Sequence, residues 1–149
     1  MGLARSIATL FRPSAKPPGS DPRHTLGAKG ERAAERYLRK AGYKILARNY
    51  RAKGGGEVDL VCRDIAESEL VFVEVKTRET AVENSRPADA VTRDKEALIA
   101  RGARAWLRLL DRPEVVFRFD IVEVLWNGGK PAITQIKSAF LLPEERHQR

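Results

Sequence analysis

Residues 57–77 read EVDLVCRDIAESELVFVEVKT, and this stretch decides the fold. Two runs inside it, Glu57–Arg63 (EVDLVCR) and Leu70–Thr77 (LVFVEVKT), are apolar at most positions and rich in valine. The exceptions in the second run that matter are a carboxylate and a lysine. Between the runs, Asp64–Glu69 is short and mostly polar, which suits a hairpin connection. The pattern predicts two neighbouring strands. Strands apolar on both faces belong in the middle of a sheet that is covered on both sides.

Strand side chains alternate faces. Glu57, Asp59 and Val61 are therefore expected on one face of the first strand, and Phe72, Glu74 and Lys76 on one face of the second. Pairing puts Asp59 and Glu74 on the same side of adjacent strands, with Lys76 one step further along. An ionised carboxylate on an apolar strand loses roughly several kcal/mol of hydration and needs a partner for its charge. Lys76 or a nearby arginine is one such partner. A hard divalent cation is the other. Mg²⁺ prefers oxygen ligands and keeps several waters, so two carboxylates suffice. Such a cation polarises a phosphate and lowers the pKa of a bound water. A lysine beside it can orient that water or offset charge on the phosphorane.

Outward from this unit, Thr25–Ala41 has helical spacing: Leu26, Gly30, Ala33, Ala34, Tyr37, Leu38 and Ala41 recur at steps of three and four. Thr25 is the expected N-cap and Gly42 the stop signal. Glu31 lies at the border of the apolar arc. It can reach toward the sheet, or serve as a first-turn charge on the helix dipole. Glu35 lies farther out and is expected in solvent. A strand over Lys44–Tyr50 follows, and then Gly54–Gly56 breaks the chain. On the other side come a polar loop with Asn84, Ser85 and Pro87, and a helix over Ala88–Leu110 ended by Pro113. A strand over Val115–Trp126, a turn at Asn127-Gly128-Gly129 and a returning strand over Ala132–Lys137 complete the order α-β-β-β-α-β-β. One mixed sheet packed with helices, an α/β fold, accommodates that order. Residues 1–22, with FRPSAKPPGSD at Phe11–Asp21, read as a flexible tail, 23–142 as one domain, and 143–149 as a charged tail.

The 149 residues carry a net charge of +8 with a pI near 10.0, which favours a polyanionic partner such as nucleic acid. The charge is segregated. Lys29–Lys53 holds nine basic residues against two acids, whereas Glu57–Glu74 holds six acids against Arg63. Arg32, Arg36, Arg39, Arg48, Arg51 and Lys53 are the expected phosphate contacts. A basic solvated helix face would give the same pattern. The one cysteine, Cys62, excludes an internal disulfide framework and reads as a small buried hydrophobe. Two distant histidines, His24 and His147, make a zinc site or a histidine-based triad hard to build. Chemistry must come from carboxylates and lysine. No run approaches the roughly 18 apolar residues of a membrane span. With no secretion signal and one thiol, the cytoplasm is the expected location.

Together these segments resemble the PD-(D/E)xK nuclease superfamily. Glu74-Val75-Lys76 matches its ExK element, and Asp59, fifteen residues ahead, matches its upstream acid. Val58 stands where the superfamily often has proline. The stretches GAKGERAAERYL (Gly27–Leu38), GYKILARNYR (Gly42–Arg51), GEVDLVCRD (Gly56–Asp64), LVFVEVKTR (Leu70–Arg78) and RFDIVEV (Arg118–Val124) are similar to the YraN-like family, grouped with Holliday-junction-resolvase-like nucleases. The resemblance implies a restriction-endonuclease-like mixed sheet flanked by helices. It implies a DNA endonuclease dependent on Mg²⁺ or Mn²⁺ and selective for junction-like structures. Asp59, Glu74, Lys76 and Glu31 take the active-site positions, with Asp59 and Glu74 as metal ligands. Lys95 matches a recurring family lysine and is grouped with the nucleic-acid-binding residues. Symmetric cutting of a junction would suit a homodimer. The competing readings are a catalytically silent nucleic-acid-binding or partner-binding module on the same fold, and a purely structural ion-pair cluster.

Overall fold

The computed structural model describes residues 22–79, 91–111 and 114–142. The expected terminal tails, the polar loop around Asn84–Pro87, the Ala88 helix start and Pro113 lie outside these residues, apart from residue 22 of the first tail.

Helix α1 (Pro22–Lys40) leads into strand β1 (Tyr43–Arg51), followed by β2 (Glu57–Asp64), β3 (Glu69–Arg78), helix α2 (Arg93–Leu109), β4 (Phe117–Leu125) and β5 (Ala132–Phe140). The strands form one sheet in the order β1-β2-β3-β4-β5. Neighbours are antiparallel except β3 and β4, which are parallel. A parallel pair needs a long crossover, and α2 lies on it. This is the expected α/β arrangement of a restriction-endonuclease-like fold, with β2 and β3 inside the sheet.

Element ends differ from expectation where local chemistry intervenes. Helix α1 already runs through residue 25, so Thr25 is not its N-cap. Helix α2 starts at Arg93, with Thr92 as N-cap accepting from the Lys95 backbone N–H at 3.2 Å. Val91, expected inside that helix, precedes it and is buried. Strand β5 continues to Phe140 past a register shift in its pairing with β4, where Ser138 takes φ 51°.

Each face of the sheet buries a separate core. Val58, Val61, Phe72, Phe119 and Ile121 pack with Ile99, Ala103 and Trp106 of α2. Leu60, Cys62, Val71, Val73, Val75 and Val122 pack with Ala33, Ala34 and Leu38 of α1. Cys62 is buried as expected, and burial pushes its thiol pKa up to about 12. The two faces correct the simple alternation. Val58 and Val61 are three residues apart yet share the α2 face, as do Ala47 and Tyr50 on β1. Asn49 and Asp59 stand between the paired positions Arg48–Leu60 and Tyr50–Val58. Asn49 takes φ 47°, a left-handed conformation that asparagine tolerates. The ribbon turns over at this point, so Glu57, Asp59 and Val61 do not form one continuous face.

Two glycines allow the helices to approach. A Cβ on Gly30 would fall 1.7 Å from Thr77 Oγ1, so α1 lies directly on the end of β3. A Cβ on Gly56, at φ 110°, would fall 2.5 Å from the Gly102 backbone N. Helix α2 therefore crosses the start of β2 with backbone against backbone.

At the opposite end of β2 and β3, Arg118 gathers distant acids. Its guanidinium donates to Asp120 Oδ1 at 3.0 Å, Glu69 Oε2 at 2.6 Å, Asp64 Oδ2 at 3.1 Å and the Tyr43 hydroxyl at 2.8 Å. Asp120 is fully buried, and its carboxylate also accepts from Gln135 Nε2 and the Ser138 N–H, each at 3.0 Å. Asp64 and Asp120 are thus committed to holding the sheet together.

Candidate functional site

The β2–β3 ladder runs from Asp64–Glu69 to Leu60–Val73 and stops there. The next pair in that register would be Asp59 and Glu74. The Asp59 side chain instead enters the gap, and its Oδ2 accepts the Val75 N–H at 2.9 Å. That donor would otherwise be left without a partner on the β2 side. The turnover of β1 and β2 at Asn49 and Asp59 thus coincides with the parting of β2 and β3. A cleft of ≈ 170 Å³ opens here, lined by Glu31, Asn49, Arg51, Glu57 and Asp59. The sheet brings Asp59 and Glu74 together as expected, and the close fit of Gly30 on Thr77 brings Glu31 to the cleft wall.

Glu74 is 3% exposed and lies between two lysines. Its Oε1 is 3.7 Å from Lys76 Nζ and 3.6 Å from Lys95 Nζ, whereas its buried Oε2 has no hydrogen-bond partner. Burial, reinforced by the Asp59 charge, pushes the Glu74 pKa up to about 8, against the opposing pull of Lys95 and Lys76. An orphaned buried oxygen costs about 1–3 kcal/mol or more when charged. A cation beside Asp59 and Glu74 would relieve both the orphaned oxygen and the repulsion between the carboxylates. Among the described residues no three His, Cys, Asp or Glu side chains are grouped to hold a metal. Two carboxylates with retained waters match the way Mg²⁺ is commonly bound, so the residues fit that ion.

Lys95, grouped with the nucleic-acid-binding residues through the family resemblance, points into the acid cluster. Its ammonium hydrogen-bonds Glu57 Oε1 as well as approaching Glu74. The Lys95 bond is also the main reason the Glu57 carboxyl is held below the usual range. Sequence reasoning does not single out Glu57 for the site, although it stands two residues before Asp59 on the same strand. It misses Glu123 as well. That residue pairs in parallel register with Lys76, and its Oε2 is buried without a hydrogen-bond partner. An acid on an otherwise apolar strand is the available signal for both.

The basic segment divides in two. Arg32, Arg36, Arg51 and Lys53 are exposed, and Arg51 reaches the cleft wall. Arg39 and Arg48 both bond Glu35, through Arg39 Nη2 at 2.9 Å and Arg48 Nε at 2.7 Å. Glu35 is therefore no solvated residue: its side chain is 14% exposed. The Arg48 bond is the largest influence on its pKa, which is lowered.

Residues 30–124 match the model of the uncharacterised protein family UPF0102. This chain belongs to UPF0102. It is 42% identical to a UPF0102 protein of Geobacter metallireducens over 118 residues, covering 79% of this chain and 93% of the relative. It is 44% identical to one of Nocardia farcinica over 119 residues, covering 79% and 91%. A third, from Chlorobaculum tepidum, is 40% identical over 126 residues, covering 80% and 95%. The UPF0102 match spans every residue of the site, from Glu31 through Glu57, Asp59, Glu74, Lys76 and Lys95 to Glu123. No described helix is long and apolar enough to cross a membrane.

Proposed function

We propose that this UPF0102 protein is a Mg²⁺- or Mn²⁺-dependent DNA endonuclease of the cytoplasm, selective for branched DNA and working as a homodimer on junction-like substrates. The observation that carries this reading is Glu74. It is a buried carboxylate beside Asp59, with one oxygen flanked by two ammonium groups and the other without a partner.

In this reading Asp59 and Glu74 hold the ion. A divalent cation held there would supply polarisation of the scissile phosphate and a lowered pKa for a nearby water. Asp59 is fixed for this role by its bond to the Val75 N–H. Lys76, 30% exposed in its side chain, can meet the attacking water or the charge that develops on the phosphate. Glu31 and Arg51 line the cleft from the α1 and β1 sides. Arg51 offers a phosphate contact there, and Arg32, Arg36 and Lys53 extend the basic surface.

The test is a cleavage assay on duplex, single-stranded, flap and four-way-junction DNA with Mg²⁺ or Mn²⁺. Asp59→Asn and Glu74→Gln serve as controls. Cutting of branched DNA that both substitutions abolish is the expected result. DNA binding without cutting of any substrate would favour the silent binding module.

A further inference from the structure

The acids around Glu74 already enclose one cation, and it belongs to the chain. Lys95 Nζ hydrogen-bonds Glu57 Oε1 and lies 3.6 Å from Glu74 Oε1. It thus bridges two carboxylates carried by adjacent strands. Its side chain is 24% exposed, so much of its hydration is gone.

The fold holds it there by construction. Thr92 caps α2 and accepts the backbone N–H of Lys95, placing that residue in the first helical turn. The close passage of Gly102 over Gly56 and Glu57 presses α2 onto the start of β2. A cation in the first turn is opposed by the helix dipole. Its compensation comes from Glu57 and Glu74, outside its own helix.

We propose that the Lys95 ammonium fills a second cation position of this site, between Glu57 and Glu74, so that the chain takes one divalent ion where its carboxylates would otherwise accommodate two. The inference rests on the reading of Asp59 and Glu74 as ligands of a divalent ion. Glu74 is shared between the positions: Oε1 faces the lysines, and the unpartnered Oε2 is left for the metal. Replacing Lys95 by a small neutral residue vacates the position and leaves Glu57 and Glu74 as oxygen ligands that a hard cation can bridge with waters.

The experiment counts bound Mn²⁺ per chain by calorimetry and by the spin-resonance signal of free Mn²⁺, without DNA. Wild type is expected to bind one ion. Lys95→Ala is expected to bind two, and Lys95→Ala with Glu57→Gln to return to one. Lys95→Gln, which keeps a donor for Glu57 but no charge, repeats the measurement if the alanine variant does not fold. Lys95→Arg, which keeps the charge, should bind one ion. Two ions in wild type would overturn the proposal, as would one ion in both neutral variants. Wild type that binds no Mn²⁺ would instead overturn the metal reading of Asp59 and Glu74, and this inference with it.

Discussion

Asp59 Oδ2 accepts the backbone N–H of Val75, the residue after Glu74, at 2.9 Å. One carboxylate thus repairs the sheet where β2 and β3 part and stands beside the second carboxylate of the site. The same gap that exposes Asp59 to a ligand makes it structurally necessary.

Asp59→Ala should release the Val75 amide. Hydrogen exchange at Val75, followed by NMR, is expected to accelerate while Val71 and Val73 stay protected. Losing an acceptor for a buried donor costs about 1–3 kcal/mol. Relief of the repulsion on Glu74 offsets part of that, so metal-free stability should fall by less. Unchanged exchange at Val75 would show that the bond does not hold in solution.

Glu74 makes metal-free stability depend on pH. Its folded pKa is raised to about 8 by burial, then by Asp59, above its ordinary value of 4.5. Between those values the folded chain binds more protons at this site than the unfolded chain. Its contribution to stability is therefore greatest at low pH and is lost as pH rises through about 8. The expected loss is on the order of a few kcal/mol. Thermal melts in EDTA should show it, Glu74→Gln should remove it, and Mg²⁺ should reverse it at the alkaline end. A wild-type profile as flat as that of Glu74→Gln would contradict the raised pKa.

Lys76 should matter to cleavage far more than to folding. It is partly exposed, and Lys95 lies as close to the same oxygen of Glu74. Lys76→Ala should change stability by no more than about 1 kcal/mol. It should keep DNA binding and lose at least about 10²-fold in single-turnover cleavage. A folded variant that cuts at the wild-type rate would remove Lys76 from the chemistry.

Glu35 restrains the basic face. It holds Arg39 and Arg48 in ion pairs and leaves Arg32, Arg36, Arg51 and Lys53 for phosphates. Replacing Arg32, Arg36 and Arg51 should flatten the salt dependence of duplex binding by about 0.9 in log–log slope for each phosphate that is no longer neutralised. Glu35→Gln should strengthen binding and steepen the slope, because two more arginines become available. If Glu35→Gln leaves both affinity and slope unchanged, DNA does not approach this face.

Arg118 is expected to be the most costly single residue outside the hydrophobic core. Arg118→Met leaves the fully buried Asp120 and the nearly buried Asp64 without their main counter-charge. A broken buried ion pair typically costs about 3–5 kcal/mol. Urea unfolding should show a lower midpoint with an unchanged slope. A loss below about 1 kcal/mol would mean that Gln135, Ser138 and Tyr43 suffice to hold these acids.

The sequence alone determined the elements and the kernel of the site, because both rest on short-range regularities. The apolar, valine-rich runs EVDLVCR and LVFVEVKT and the three–four spacing before Gly42 are each visible within one short stretch of chain. A short connection makes β2 and β3 neighbours, so the proximity of Asp59 and Glu74 follows from their positions. Only tertiary structure decided where that regularity breaks and which charges meet. The turnover at Asn49 and Asp59 depends on how β1 and β2 wrap between two helices, and no local period encodes it. Lys95 reaches Glu57 and Glu74 only because two glycines, 46 residues apart, let α2 touch β2. Glu35 leaves solvent because Arg48, thirteen residues away, folds back over it. Arg118 collects partners from residues 43 to 120, and each of those charges read alone is an ordinary exposed residue. A charge in sequence has a cost only once the fold removes its water, and which opposite charge offsets that cost is set by contacts made across the whole chain.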